Sequence, residues 1–198
     1  AEAAAVAEAE AARADETPQA VAEPALAAPP EDVDAVLAEL EGLIGLEPVK
    51  REIERLVAVH RLNAARAAND RPEVGTTLHL VFTGPPGTGK TTVARLVARV
   101  YGALGLVSKG HLVEVDRADL IAGYVGQTAL KVTDAVNRAK GGVLFIDEAY
   151  ALTPSSSVDY GAEAVATLVK LMEDNRGDLA VIAAGYSEDM RGFIDSNP

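Results

Sequence analysis

The sequence predicts an α/β fold in which a parallel sheet is covered by helices on both faces. Three observations carry that prediction. Short apolar runs at LHLVFTG, HLVEV, GGVLFID and LAVIAAG alternate with stretches of helical periodicity, the pattern of strands joined by helical crossovers. GGVLFID and LAVIAAG are apolar almost throughout rather than alternating, as strands buried on both faces are. The third observation is GPPGTGKTT (84–92), a glycine-rich turn between one such strand and an amphipathic helix.

Taken in order, residues 1–30 are rich in Ala, Glu and Pro and read as a linker or disordered tail, because they carry little that could be buried. Order is predicted from Glu31, where Val33, Val36, Leu37 and Leu40 follow helical spacing. Gly42 and Gly45 interrupt that helix at GLIGLEP. A second helix is predicted from about Pro48, a residue suited to a first turn, with Ile53, Leu56 and Val57 on one side. Beyond the glycine turn, Val93, Leu96, Val97, Val100 and Tyr101 share a helical face, and HLVEV (111–115) is the second strand. A helix with Val132, Val136 and Ala139 leads to GGVLFID. Another, with Val165, Leu168, Val169 and Met172 on its apolar face, leads to LAVIAAG. No internal repeat is visible, so residues 31–198 read as one α/β unit.

Composition narrows the class. No apolar run of the 198 residues approaches the roughly 20 needed to span a bilayer. The N-terminal AEAAAVAEAE lacks the basic flank and apolar core of a secretory signal. There is no cysteine, which removes disulfides, thiolate metal sites and cysteine nucleophiles. A cytoplasmic protein without membrane insertion is expected. The net charge is −12, but residues 1–40 hold ten acids against Arg13 alone, so the rest is near neutral. Nucleic-acid binding is not favoured, since it depends on clustered Lys and Arg.

Gly84, Pro85, Pro86, Gly87, Thr88, Gly89, Lys90 and Thr91 fit G-x-x-x-x-G-K-[ST], with Thr92 following. Glycines let backbone N–H groups turn toward phosphates, and the helix beginning near Lys90 adds its positive end. Lys90 is expected to reach the β- and γ-phosphates of ATP, and Thr91 to place its hydroxyl on Mg2+. Asp147 and Glu148 end the apolar strand Val143–Ile146, at the edge of the sheet where ligands bind in open α/β folds. Asp147 is expected to hold the magnesium, and Glu148 to act as base for the water that attacks the γ-phosphate. A small-molecule kinase has no need of that second carboxylate, so the site reads as a hydrolase.

GLIGLEPVK, GPPGTGKTT, SKGHLVEVDRADLIAGYVGQTALK, GGVLFIDEAYAL and VIAAGY…SNP together resemble the AAA+ ATPase family. The resemblance is narrower to the CbxX/CfqX branch, which holds red-type rubisco activase, the sporulation ATPase SpoVK and the ATPases of type VII secretion. It runs from about residue 42 to the end and implies the large α/β subdomain of a hexameric motor acting on a protein client. It also implies roles for residues that spacing alone leaves open. Ile44 and Gly45 match the segment that packs on adenine. Tyr124, Val125 and Gly126 match the loop that lines the hexamer pore and grips the client. The residue that orients the attacking water, usually Asn or Thr at the end of LAVIAAG, is replaced here by Ala184-Gly185-Tyr186-Ser187, leaving Tyr186 and Ser187 as candidates. The arginine finger and helical lid of the family lie beyond the equivalent of SNP, so the chain reads as truncated before both, with Arg191 a surface residue.

Two functions remain open at this point. One is a motor that hydrolyses ATP to remodel a protein through a pore; the other is a nucleotide-dependent binding or scaffold module without efficient turnover. Nucleic-acid remodelling ranks third. Glu148 and the GYVG loop favour the motor for the parent protein, while the expected absence of the finger and lid favours the second for this polypeptide in isolation.

Overall fold

The computed structural model describes residues 31–196 except 44, 73, 125 and 154–159. The 1–30 segment, Ile44 and Val125, for which roles were expected, therefore lie outside the described residues. The described elements are α1 (Val33–Glu41), α2 (Glu47–Ala67), β1 (Leu80–Thr83), α3 (Lys90–Ala103), β2 (Leu112–Val115), α4 (Arg117–Leu120), α5 (Gln127–Ala139), β3 (Gly142–Ile146), a 3-10 turn (Ala149–Leu152), α6 (Gly161–Asp174), β4 (Leu179–Gly185) and α7 (Ser187–Ser196).

The four strands form one parallel sheet in the order β1-β4-β3-β2. Parallel neighbours cannot be joined by a hairpin, so each connection crosses over through a helix. The central strands β3 and β4 are buried along nearly their whole length, which is why GGVLFID and LAVIAAG carry almost no polar residue. Alternation sorts their side chains into two layers. Val143, Phe145, Ala180 and Ile182 face Leu40, Ile53, Val97 and Tyr101 of α1, α2 and α3. Leu144, Ile146, Leu179 and Val181 face Val132, Val136, Leu168 and Met190 of α5, α6 and α7. Burying each large apolar side chain contributes about 1.5–3 kcal/mol, so β3 and β4 are the spine of the molecule.

Close approaches explain the glycines before β3. A Cβ at Gly142 would stand 2.2 Å from the His111 carbonyl oxygen, so the start of β3 can be nothing larger. Gly141, at φ 84°, turns its carbonyl to accept N–H bonds from Lys109 and Gly110. In the same way Gly102 and Gly110 bring two backbones together, the Cβ of either being under 3 Å from the Cα of the other.

Helix α2 starts at Glu47, one residue before the predicted position, with Pro48 in its first turn. Its Lys50 is buried, and Nζ donates to the Glu41 carbonyl at the end of α1 (2.9 Å). A cation at a helix C-terminus meets the negative end of the dipole, and here it clamps the GLIGLEP turn beside the nucleotide loop.

One assignment is corrected. Val169 is 57% exposed and does not share the inward face of α6, which is formed by Ala164 and Leu168 with Val165, Leu171 and Met172 at its margin. Each residue advances about 100° around a helix, and Val169 lies one step past Leu168, off the stripe. Arg191 is exposed, as expected. Among the described residues, no helix is long and apolar enough to cross a membrane.

Candidate nucleotide site

The site lies at the carboxyl ends of β1, β3 and β4. The Gly84 N–H donates to the Gly185 carbonyl (3.2 Å), tying the base of the 84–89 loop to the end of β4. Gly87 and Gly89 have φ of 74° and 79°, a region that L side chains enter at a cost. Gly89 caps α3 with no side-chain bond, and the first backbone bond of that helix is Val93 N–H to Gly89 O (2.9 Å). Lys90, Thr91 and Thr92 precede it in the first turn and line the cleft, where the N-terminus of a helix is a natural anion site.

The cleft measures about 360 Å3 and is lined by Pro86, Gly87, Thr88, Gly89, Lys90, Thr91, Thr92, Asp147, Glu148, Gly185 and Tyr186. The structure thus brings together all the residues expected at the phosphates except Gly84 and Pro85, which line an adjoining space. That space, about 400 Å3, is walled by Leu46, Pro48, Val49, Phe82 and Val93 and shares Thr88 and Lys90 with the cleft. Its apolar wall suits a flat heterocycle, and Gly45 (φ 76°) and Leu46 (φ 66°) turn the chain at its rim.

Lys90 Nζ donates to the carbonyls of Gly84 and Pro85, 3.1 Å each. Asp147 continues the β2–β3 ladder through its N–H to Val115 O (2.9 Å), and its Oδ1 accepts the Glu148 N–H (3.0 Å). Among the described residues no group of three His, Asp or Glu could hold a metal. A divalent ion would therefore rest on Thr91, Asp147 and the oxygens of a ligand. That sparse, all-oxygen donor set fits magnesium, which keeps several waters and takes few protein ligands.

Glu148 is exposed and sits in the left-handed region at φ 49° and ψ 45°. The Tyr186 hydroxyl is 3.4 Å from its Oε1, a long O–H···O contact. Tyr186 also lies under Lys90, whose Nζ is 5.5 Å from the ring centroid, a cation–π distance. The Glu148 charge, ahead of burial, raises the Tyr186 phenol above its ordinary value. Ser187 opens α7 and is exposed. Of the two candidates for orienting water, only Tyr186 lines the cleft.

The sequence reading missed Tyr150. Its ring lies 5.8 Å from that of Tyr186, tilted by 33°, and burial, then the Glu148 carboxylate, pushes its phenol up to about 12. An aromatic two residues beyond the expected base was the available signal.

Tyr124 is elsewhere. It is 73% exposed on the 121–126 loop and does not line the cleft. The start of that loop is tied to α5: the Ala122 N–H donates to buried Thr128 Oγ1 (3.1 Å), and Lys131 Nζ donates to the Ala118 and Ile121 carbonyls (2.7 and 3.2 Å). A cavity of about 550 Å3 separates the loop base from the nucleotide cleft, with Asp116, Arg117, Gly123 and Ala151 in its wall and Glu148 on its border. Arg117 Nη1 donates to the Ala151 carbonyl across it.

Residues 80–193, which hold the sheet and the cleft, match the model of the ATPase family associated with various cellular activities. The chain belongs to the AAA ATPase family. Its relatives place it within the CbxX/CfqX branch. It is 50% identical over 169 residues to protein CfxQ of Xanthobacter flavus, covering 84% of this chain and 53% of that protein. It is 45% identical over 160 residues to stage V sporulation protein K of Bacillus subtilis, covering 81% and 50%. It is 46% identical over 168 residues to the chloroplastic ribulose bisphosphate carboxylase/oxygenase activase of Cyanidioschyzon merolae, covering 84% and 57%. The chain spans about half the length of these relatives. AAA domains bind and hydrolyse ATP, and the 84–92 loop and Asp147-Glu148 line one cleft of this domain.

Proposed function

We propose that this AAA domain is the motor module of a cytoplasmic protein remodeller, working as a hexamer that pulls a protein client by the 124–126 loop. The observation that carries the reading is a separation. The chemistry-bearing groups gather in one cleft, while the most exposed large aromatic, Tyr124, stands on an independently anchored loop. That is the layout of a machine with a fuel site and a separate gripping surface. Its relatives' names, a rubisco activase and a sporulation protein, are compatible with unrelated clients.

In the proposed reaction the 84–92 loop and the N-terminus of α3 hold the triphosphate, with Lys90 moving from the Gly84 and Pro85 carbonyls to the β- and γ-phosphates. Gly45 and Ile44 are the residues proposed to pack on the adenine. A magnesium ion on Thr91 and Asp147 would supply charge neutralisation at the phosphate oxygens. Glu148 accepts the proton of the attacking water as its oxygen bonds to the γ-phosphorus, and the bond to the β–γ bridging oxygen breaks to release ADP. Tyr186 donates to Glu148 and holds it against the cleft. The 1–30 segment is proposed as a linker ahead of this module, which corresponds to the large α/β subdomain.

The test pairs two variants in the intact protein. Tyr124→Ala should keep ATP affinity, turnover and melting temperature while client remodelling is lost. A stable variant that still remodels its client would end the gripping role and leave a nucleotide-dependent binding module as the better reading.

A further inference from the structure

We propose that Tyr150 is a positioning residue for ATP hydrolysis, and that Gly185 is glycine to admit its ring. The inference rests on the reading of Glu148 as the base. Glu148 is exposed, follows a strand end, and borders two spaces: the phosphate cleft and the cavity walled by Asp116 and Arg117. A carboxylate in that position has an alternative direction to swing, toward the guanidinium of Arg117. A base must be held within a few tenths of an ångström of its productive pose. Its main chain is fixed, the N–H donating to Asp147 Oδ1 and the carbonyl accepting the Ala151 N–H (2.8 Å), but that leaves the direction of the carboxylate open.

Two phenols supply the missing restraint, Tyr186 in the cleft wall and Tyr150 packed beside it. Tyr186 approaches Oε1 directly. Tyr150 sets its ring beside that of Tyr186, 5.8 Å between centroids, close enough to the same carboxylate for the Glu148 charge to raise its phenol. Tyr150 is itself rigidly placed. It sits in the 3-10 turn between fully buried Ala149 and Leu152, and its carbonyl accepts the Thr153 N–H (3.0 Å).

The ring has room because β4 ends in glycine. A Cβ at Gly185 would be 2.7 Å from Tyr150 Cδ1 and 2.8 Å from Met190 Sδ. Backbone freedom is not the reason, since Gly185 continues the β1–β4 register opposite Thr83. Any side chain there would push the ring off the strand end and away from Glu148. Glycine at this position and tyrosine at 150 are therefore two halves of one device, a buttress running from β4 through the ring to the base.

The test uses the intact protein under conditions of ATP turnover. Tyr150→Phe keeps the ring and removes the hydroxyl, so kcat should fall about tenfold or more while KM, affinity for a non-hydrolysable ATP analogue and melting temperature stay put. Gly185→Ala should lower kcat at least as much, and combining it with Tyr150→Phe should add little, since both disable one device. Glu148→Gln is the reference. If that variant turned over normally, the base assignment itself would fail. If it were inactive while Tyr150→Phe kept wild-type kcat, only the buttress would be overturned. A Tyr150→Phe variant that lost ATP affinity or melted early would assign Tyr150 to packing and overturn it equally.

Discussion

Lys90 Nζ donates to two acceptors of its own loop, the carbonyls of Gly84 and Pro85. Phosphate oxygens must outcompete them, which a charged acceptor does, and hydrogen bonds to charged groups contribute about 1.5–3 kcal/mol. Lys90→Ala should therefore raise the Kd of a fluorescent ATP analogue roughly 10- to 100-fold, measured by direct titration; an unchanged Kd would remove Lys90 from the site. Glu148→Gln should bind the analogue normally and lose about 10²–10⁴-fold in turnover, read in a steady-state ATPase assay. The 84–92 loop and the Asp147-Glu148 pair were legible in the sequence because each is a contiguous run whose chemistry is local. Tyr150 was not, because its meaning depends on Gly185 and Tyr186, which only the sheet brings beside it. That Tyr186 and not Ser187 lines the cleft depends on the direction in which the chain leaves β4.

At the scale of elements, the strands and long helices were legible because burial imposes periods of 2 and 3.6 on the side chains. The short pieces were not. Helix α4 has four residues and is defined by an Asp116–Asp119 capping box, and α7 buries Met190 as its one large core side chain. Thr128 shows how such short pieces are held. Its hydroxyl is fully buried and accepts the Ala122 N–H. Thr128→Val should leave that N–H unpaired and cost about 1–3 kcal/mol, seen as a lower urea midpoint. Since the 121–126 loop hangs from this bond, proteolysis near Tyr124 should also accelerate, and a variant with wild-type stability and cleavage rate would show the bond to be dispensable.

For the whole molecule, acid stability turns on the seam between β1 and β4. His79 Nδ1 accepts the Val181 N–H (3.0 Å), and the ring is held below its ordinary value of 6.5 by burial first and by the Arg176 charge second. Folding favours the neutral ring, so the unfolded chain takes up the proton at higher pH. The stability from this bond is full above about pH 6.5 and is lost as pH falls through the lower, folded value. The urea midpoint should drop between about pH 7.5 and pH 5, and His79→Asn, which cannot titrate, should show a smaller drop. Equal pH dependence in the two proteins would exclude His79 as the cause.

Glu148 carries a consequence for how this domain would drift. A left-handed backbone at a residue with a long side chain costs on the order of 1 kcal/mol, and Gly or Asn would relieve it. Stability and turnover thus pull on this one position in opposite directions. A population of such domains kept only for binding, with no demand for hydrolysis, should exchange the carboxylate for Asn or Gly early and gain a degree or two in melting temperature. On the proposed reading of Glu148 as the base, glutamate at 148 serves turnover against the preference of the fold.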